Sequence, residues 1–104
     1  MVSRHWTGVT KPGKATDYIA HLKKDTFPKL SAIPGFVRAS VLKRDLPEGT
    51  EFLVITEWEN IEAIQAFAGA DPDIAVVPQV ARDLMLRFDE KVRHYHVHHT
   101  EMKH

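Results

Sequence analysis

Two β-forming runs that are apolar on both sides set the strongest limit on how this chain can fold. In the run Glu51 to Glu59, Phe52, Val54 and Trp58 alternate with Leu53 and Ile55. In the run Phe36 to Arg44, alternation sets Phe36 and Leu42 on one side and Val37, Ala39 and Val41 on the other. Successive side chains of a strand point to opposite faces, so the pattern describes a sheet without a polar face. Each large apolar side chain left in water forgoes about 1.5–3 kcal/mol of burial. Both faces of such a sheet therefore need a cover.

The rest of the chain provides helices for one face only. Arg4 to Thr10 reads as a first strand, ended by Lys11-Pro12-Gly13. From Lys14, the residues Ala15, Tyr18, Ile19 and Leu22 recur at helical spacing, and Pro28 is expected to end or kink that helix near Thr26. The two runs above form strands two and three, joined by a loop over Asp45 to Thr50. Asn60 suits an N-cap before Ile61, Ile64 and Phe67, and Gly69 and Pro72 stop that second helix. Pro78 opens a short third helix whose buried side would be Ala81, Leu84 and Met85. Phe88 to Val97 is the last strand, running on towards His98 and His99. The order βαββαβ, with one extra helix, is the split βαβ pattern of a ferredoxin-like α+β fold with an antiparallel sheet. Its helices lie on one face, so a second copy of the chain is the economical cover for the other, and the expected assembly is a homodimer.

At 104 residues, the chain is expected to form one domain spanning 1–104, with residues 98–104 frayed. Lysine plus arginine and aspartate plus glutamate number 14 each, so no overall field attracts a polyanion, and no nucleic-acid partner is expected. The absence of cysteine removes disulfides, iron–sulfur clusters and thiolate chemistry. No apolar run approaches the roughly 20 residues of a membrane helix, and the first residues lack the apolar centre of a signal peptide. The expectation is a cytoplasmic protein with no membrane partner.

The stretch Glu57-Trp58-Glu59-Asn60-Ile61-Glu62-Ala63-Ile64-Gln65-Ala66-Phe67 joins a strand ending in tryptophan to a short helix ending in phenylalanine. With Pro34-Gly35-Phe36 and the His94-Tyr95 pair of the last strand, it resembles the antibiotic biosynthesis monooxygenase family, and the likeness covers nearly the whole chain. The resemblance implies a dimeric α/β barrel in which two sheets pack face to face. It also implies a pocket between sheet and helices that takes a small aromatic or quinonoid molecule. Trp58, Phe67, Trp6 and Tyr95 are then the expected substrate contacts, with Arg38 as the group that stabilises an anion. A cofactor-independent monooxygenase of this kind needs an apolar slot, a base and a hydrogen-bond donor. Histidine titrates near neutrality, which makes His94 and His5 the candidate bases, with His96 as a third. A non-catalytic binding or stress-related domain, and a proton-transfer isomerase or cyclase, are the alternatives on the same architecture.

No resident cofactor or metal is expected. Haem-degrading members of the family hold iron through a histidine on or just after the second helix, and here Gln65-Ala66-Phe67-Ala68-Gly69 carries none. Haem would need a ligand from elsewhere, such as His94 or His21. His94, His96 and His98 alternate along the last strand, but same-face neighbours lie roughly 7 Å apart, too far to share one metal ion near 2.1 Å. His98, His99 and His104 belong to the polar tail. The isolated glycines form no phosphate-binding loop.

Overall fold

The computed structural model describes residues 1–103. Its sheet is built around the antiparallel pairing of β1 (Val2–Thr10) with the strand Gly49–Trp58, which runs without interruption from Val2 opposite Trp58 to Thr10 opposite Thr50. After β1 come a helix α1 (Ala15–His21), a π-helical turn (Leu22–Thr26) and α2 (Phe27–Ser31). The hairpin β2 (Phe36–Leu46) and β3 (Gly49–Trp58) follows, then α3 (Ile61–Ala68), α4 (Gln79–Asp83), β4 (Met85–Phe88) and β5 (Arg93–His96). The strand order β2-β3-β1-β4, all antiparallel, with β5 also on β1, is that of a ferredoxin-like α+β fold, and the sheet is open. Among the described residues no helix is long and apolar enough to cross a membrane.

Four local readings are corrected by the structure, each for a physical reason. Pro28 does not end the first helix. The π turn lets the amide of Phe27 donate to Leu22 O, one residue further back than in an α-helix, and the wider turn accommodates a proline that would otherwise clash with the preceding carbonyl. The loop expected over Asp45 to Thr50 contracts to a tight turn at Pro47-Glu48, with Leu46 already paired to Gly49. A register shift between Phe36 and Arg38 moves Ala39 and Val41 to the same side as Phe36 and turns Leu42 to the opposite side, where it pairs with Leu53.

The last correction concerns the terminal strand, which is two strands rather than one. Between them Asp89 substitutes for a strand neighbour of β1: its amide donates to Thr7 O at 2.9 Å and its carboxylate accepts from Thr7 N at 3.2 Å. The chain then swings out, where Ala75 N donates to Glu90 O and Val92 N donates to Asp73 O. Residues 89–92 thus tie the segment before α4 to the sheet edge.

The hydrophobic core lies between the sheet and the helices in two adjoining clusters. One gathers Val2, Leu30, Trp58, Ala63 and Ile64, and the other Tyr18, Leu22, Phe52, Ala81 and Met85. Helix α3 enters this core through the expected cap, Asn60 Oδ1 accepting from Ala63 N at 2.9 Å. The opposite sheet face carries Leu42, Leu53, Ile55 and Tyr95, and among the described residues no helix covers it; Leu42 and Tyr95 are 48% and 51% exposed. Cross-strand pairs Arg38–Glu57 and Arg44–Glu51 flank these apolar side chains.

The tight hairpin requires glycine at position 49 because the backbone there passes β1 closely. A β-carbon on Gly49 would stand 2.0 Å from the carbonyl oxygen of Thr10. Gly49→Ala is expected to lower the free energy of unfolding by about 1–3 kcal/mol, measured by urea denaturation.

Candidate functional site

Strand alternation in β1 sends Val2, Arg4, Trp6, Gly8 and Thr10 to the helix side of the sheet. Between Arg4 and Trp6 on the floor and the first helix above, a cleft encloses about 580 Å³ of atom-free space, its solvent-open mouth included. Val54 and Thr56 of β3 complete the floor, while Tyr18 and His21 form one wall and Phe67 and Val76 line it elsewhere. Gly8 gives the Trp6 indole its place: a β-carbon at that position would lie 2.4 Å from the ring. The indole nitrogen donates to Asp89 O at 2.8 Å, which orients the ring from the sheet edge. Tyr18 lies 6.1 Å from Trp6, centroid to centroid, and packs edge-on against Phe52.

The helical wall owes its shape to the π turn. His21 ends α1, Thr26 ends the π turn, and the two side chains meet across it, Thr26 Oγ1 to His21 Nε2 at 3.4 Å. Both line the cleft. Their pairing joins an imidazole to a hydroxyl at the one place where this helix departs from α geometry.

Arg4 is the most constrained charge in the molecule, with only 5% of its surface exposed. Its guanidinium donates to Pro72 O, to Ile74 O at 3.0 Å and to His94 Nε2 at 3.1 Å, and it lies 5.9 Å above the Phe67 ring. A guanidinium only donates, so Nε2 of His94 is the acceptor and the ring proton sits on Nδ1, which donates to Asp73 Oδ1 at 3.2 Å. Burial lowers the Arg4 pKa to about 10 against a smaller opposing pull from Asp73. Burial, then the adjacent Arg4 charge, lower the pKa of His94 despite the bond to Asp73.

The residues expected from sequence divide between the two sides of the sheet. Trp6 and Phe67 line the cleft. Trp58 lies below it, fully buried, stacked on Phe67 at 6.1 Å and donating from Nε1 to Thr56 Oγ1 at 2.9 Å. His94 reaches the cleft only through Arg4. His5, Arg38 and Tyr95 are on the opposite face. There His5 bonds Ser3 Oγ at 2.9 Å and stands 5.0 Å from the Tyr95 ring, and Arg38 pairs with Glu57. Burial and then the Arg93 charge lower the His5 pKa, with Glu57 opposing. His96 is exposed on β5, His98 and His99 are exposed beyond it, and His104 lies outside the described residues. Among the described residues, no three histidine or carboxylate side chains form a metal-binding group.

Arg4 was not singled out in the sequence and His21 only as a conditional haem ligand, although each left a trace of its place at the cleft. Arg4 falls on the same parity as Trp6, so a charge on the buried side of a strand was already written in the alternation. His21 follows Tyr18 at three-residue spacing and so borders the buried stripe of its helix.

The lowered pKa of His94 has a consequence for stability. Between the folded-state value and the ordinary 6.5, the unfolded chain binds more protons at this position than the folded one. The contribution is therefore complete above pH 6.5 and lost as pH falls through the folded-state value. The His94 ring is expected to titrate below 6.5 by NMR. The denaturation midpoint should fall on acidification from that pH. His94→Gln, whose amide accepts from Arg4 and donates to Asp73 without titrating, should reduce the fall.

Comparison with known proteins agrees with this architecture. The model of the antibiotic biosynthesis monooxygenase family matches residues 1–72. No curated protein matches the chain in sequence. The monooxygenase ActVA-Orf6 of Streptomyces coelicolor, solved in complex with nanaomycin D, is 18% identical with a TM-score of 0.69, over 99% of this chain and 92% of that one. SnoaB, a cofactor-independent oxygenase from Streptomyces nogalater, is 16% identical with a TM-score of 0.66 over 95% of each chain. MhuD, solved with two manganese protoporphyrin IX molecules per active site, is 18% identical with a TM-score of 0.62, over 97% of this chain and 99% of that one. These structures share the fold, and with the family match spanning well over half of its length, this chain belongs to the antibiotic biosynthesis monooxygenase family.

Proposed function

We propose that this single-domain protein is a cofactor-independent monooxygenase acting on a small aromatic or quinonoid compound held in the cleft between sheet and helices. The observation that carries the reading is a cleft with Trp6, Tyr18 and Phe67 in its lining and the His21 imidazole on its helical wall. Flat aromatic side chains favour a flat apolar ligand, and an imidazole beside it can take the proton of a phenol or quinol. The resulting electron-rich anion passes electrons to dioxygen itself. One oxygen atom enters the substrate, and the other leaves as water with the two hydrogens the substrate gives up. No external reductant is consumed. The oxygenase relatives support the reading by analogy of fold.

In this scheme His21 is the base, and Thr26, within reach of its Nε2, orients the ring. Trp6 and Phe67 contact the substrate. Trp58 supports Phe67 from below, and His94 acts through Arg4 rather than on the substrate. His5, Arg38 and Tyr95, on the other side of the sheet, belong with Leu42, Leu53 and Ile55 to an interface with a second copy of the chain. Two such faces packed together would give each its missing apolar cover.

The activity is tested by oxygen uptake with a panel of phenols and quinols. Uptake is expected with at least one of them, and His21→Ala is expected to lower turnover by about 10²–10⁴-fold. Unchanged turnover in that variant would remove His21 as the base, and turnover without oxygen would favour a proton-transfer enzyme instead. Sedimentation equilibrium at micromolar concentration is expected to give the mass of two chains, and Ile55→Lys that of one.

A further inference from the structure

The reading of the cleft as an aromatic-binding site leaves its most unusual group without a task. Arg4 is a buried cation, yet among the described residues no carboxylate touches it. Its three acceptors are two backbone carbonyls and a neutral imidazole. The nearest acid, Asp73, stands on the far side of His94, bonded to Nδ1, with 64% of its side chain exposed. Of the five guanidinium N–H groups, two have no partner among the described residues. Its buried nitrogens are all hydrogen-bonded, but by neutral acceptors, so the charge itself has no counter-charge in contact among the described residues.

Two further polar groups of the cleft, Thr56 and Tyr18, have the same sense. Thr56 is buried, and its oxygen accepts from Trp58 Nε1, so its own hydroxyl hydrogen remains to be donated. The Tyr18 hydroxyl has no partner among the described residues, and burial raises its pKa, so it stays protonated and donating. Among the described residues, no aspartate or glutamate lines the cleft. A floor of one cation and one free hydroxyl, a second hydroxyl on the wall and no acid describe a receptor for negative charge.

We infer that the ligand of this cleft binds as an anion, an aromatic frame bearing a carboxylate or an ionised hydroxyl that rests against Arg4. This inference rests on the aromatic-binding reading proposed above and adds to it a second anchoring group, distinct from the hydroxyl that meets His21. Arg4 is then the residue that decides which aromatic compounds are admitted. The carbonyls of Pro72 and Ile74 and the His94–Asp73 pair hold its guanidinium in place.

The test uses the full chain and matched probes. Naphthoate and naphthamide have nearly the same shape and differ in charge, and their binding is followed by calorimetry at neutral pH. Nitrophenol reports the second source of charge, because its ionisation is visible in absorbance. Naphthoate is expected to bind about tenfold or more tightly than naphthamide. Nitrophenol is expected to ionise about one pH unit lower when bound, which is the same tenfold preference for the anion. A carboxylate ligand predicts the larger preference in the first arm and a phenolate ligand in the second. Arg4→Met should abolish both preferences while naphthamide still binds, and Thr56→Val should weaken them. Should Arg4→Met fail to fold, the wild-type comparison and Thr56→Val still decide. Equal affinity for naphthoate and naphthamide with no shift in nitrophenol would overturn the inference and leave the aromatic-binding reading intact. Failure of all three probes to bind would take both away.

Discussion

The register of β1 against β3 is the constraint on which the rest of the molecule depends. Their pairing is unbroken over the whole of β1, and it fixes which side chains of both strands meet the helices. Arg4 and Trp6 face inward beside Thr56 and Val54, and His5 and Thr7 face outward beside Ile55 and Leu53. A slip of one residue would exchange these sets and put a histidine and a threonine into the core. The cleft, its buried cation and the apolar outer face all follow from that one choice of phase.

Most of the fold was legible because periodicity and punctuation are strong in this sequence. Asn60 and Gly69 mark the ends of α3 as read, and β1, β2, β3 and the start of the first helix fall where their patterns lie. What escaped notice was set by contacts distant in the chain. Nothing near Asp89 announces that its backbone and carboxylate will both serve Thr7, eighty-odd residues earlier. Likewise the bulge between Phe36 and Arg38 reverses the face of Leu42, and a strict count of two cannot register an inserted residue. Pro28 misled for the opposite reason: the local rule is sound for an α-helix, and the helix met it by ceasing to be one for five residues.

The site was only partly legible. Aromatic residues are conspicuous, and Trp6 and Phe67 do line the cleft, while Trp58 lies one layer deeper because its indole sits between Phe36 and Phe67. The histidines of the last strand drew attention by their number, but β5 packs on β1 so that His94 turns to Arg4 and Asp73. Arg4 is read from the sequence only as the first residue of a strand. Only the tertiary structure brings the carbonyls of Pro72 and Ile74 to it, and those carbonyls make its burial possible.

The π turn at Leu22–Thr26 also bears on how this helix could change over time. Such a turn is equivalent to one residue inserted into an α-helix while both flanking segments keep their seats: His21 borders the cleft on one side of it and Leu30 is locked in the core on the other. Loss of a single residue from these five would restore regular winding without rotating Leu30 out of the core by the roughly 100° that each α-helical residue contributes. Loss of a residue between them would leave Thr26 four places after His21, still on the same face of the helix. The helix therefore holds a length polymorphism in reserve, one that could remodel the cleft wall and leave the scaffold standing.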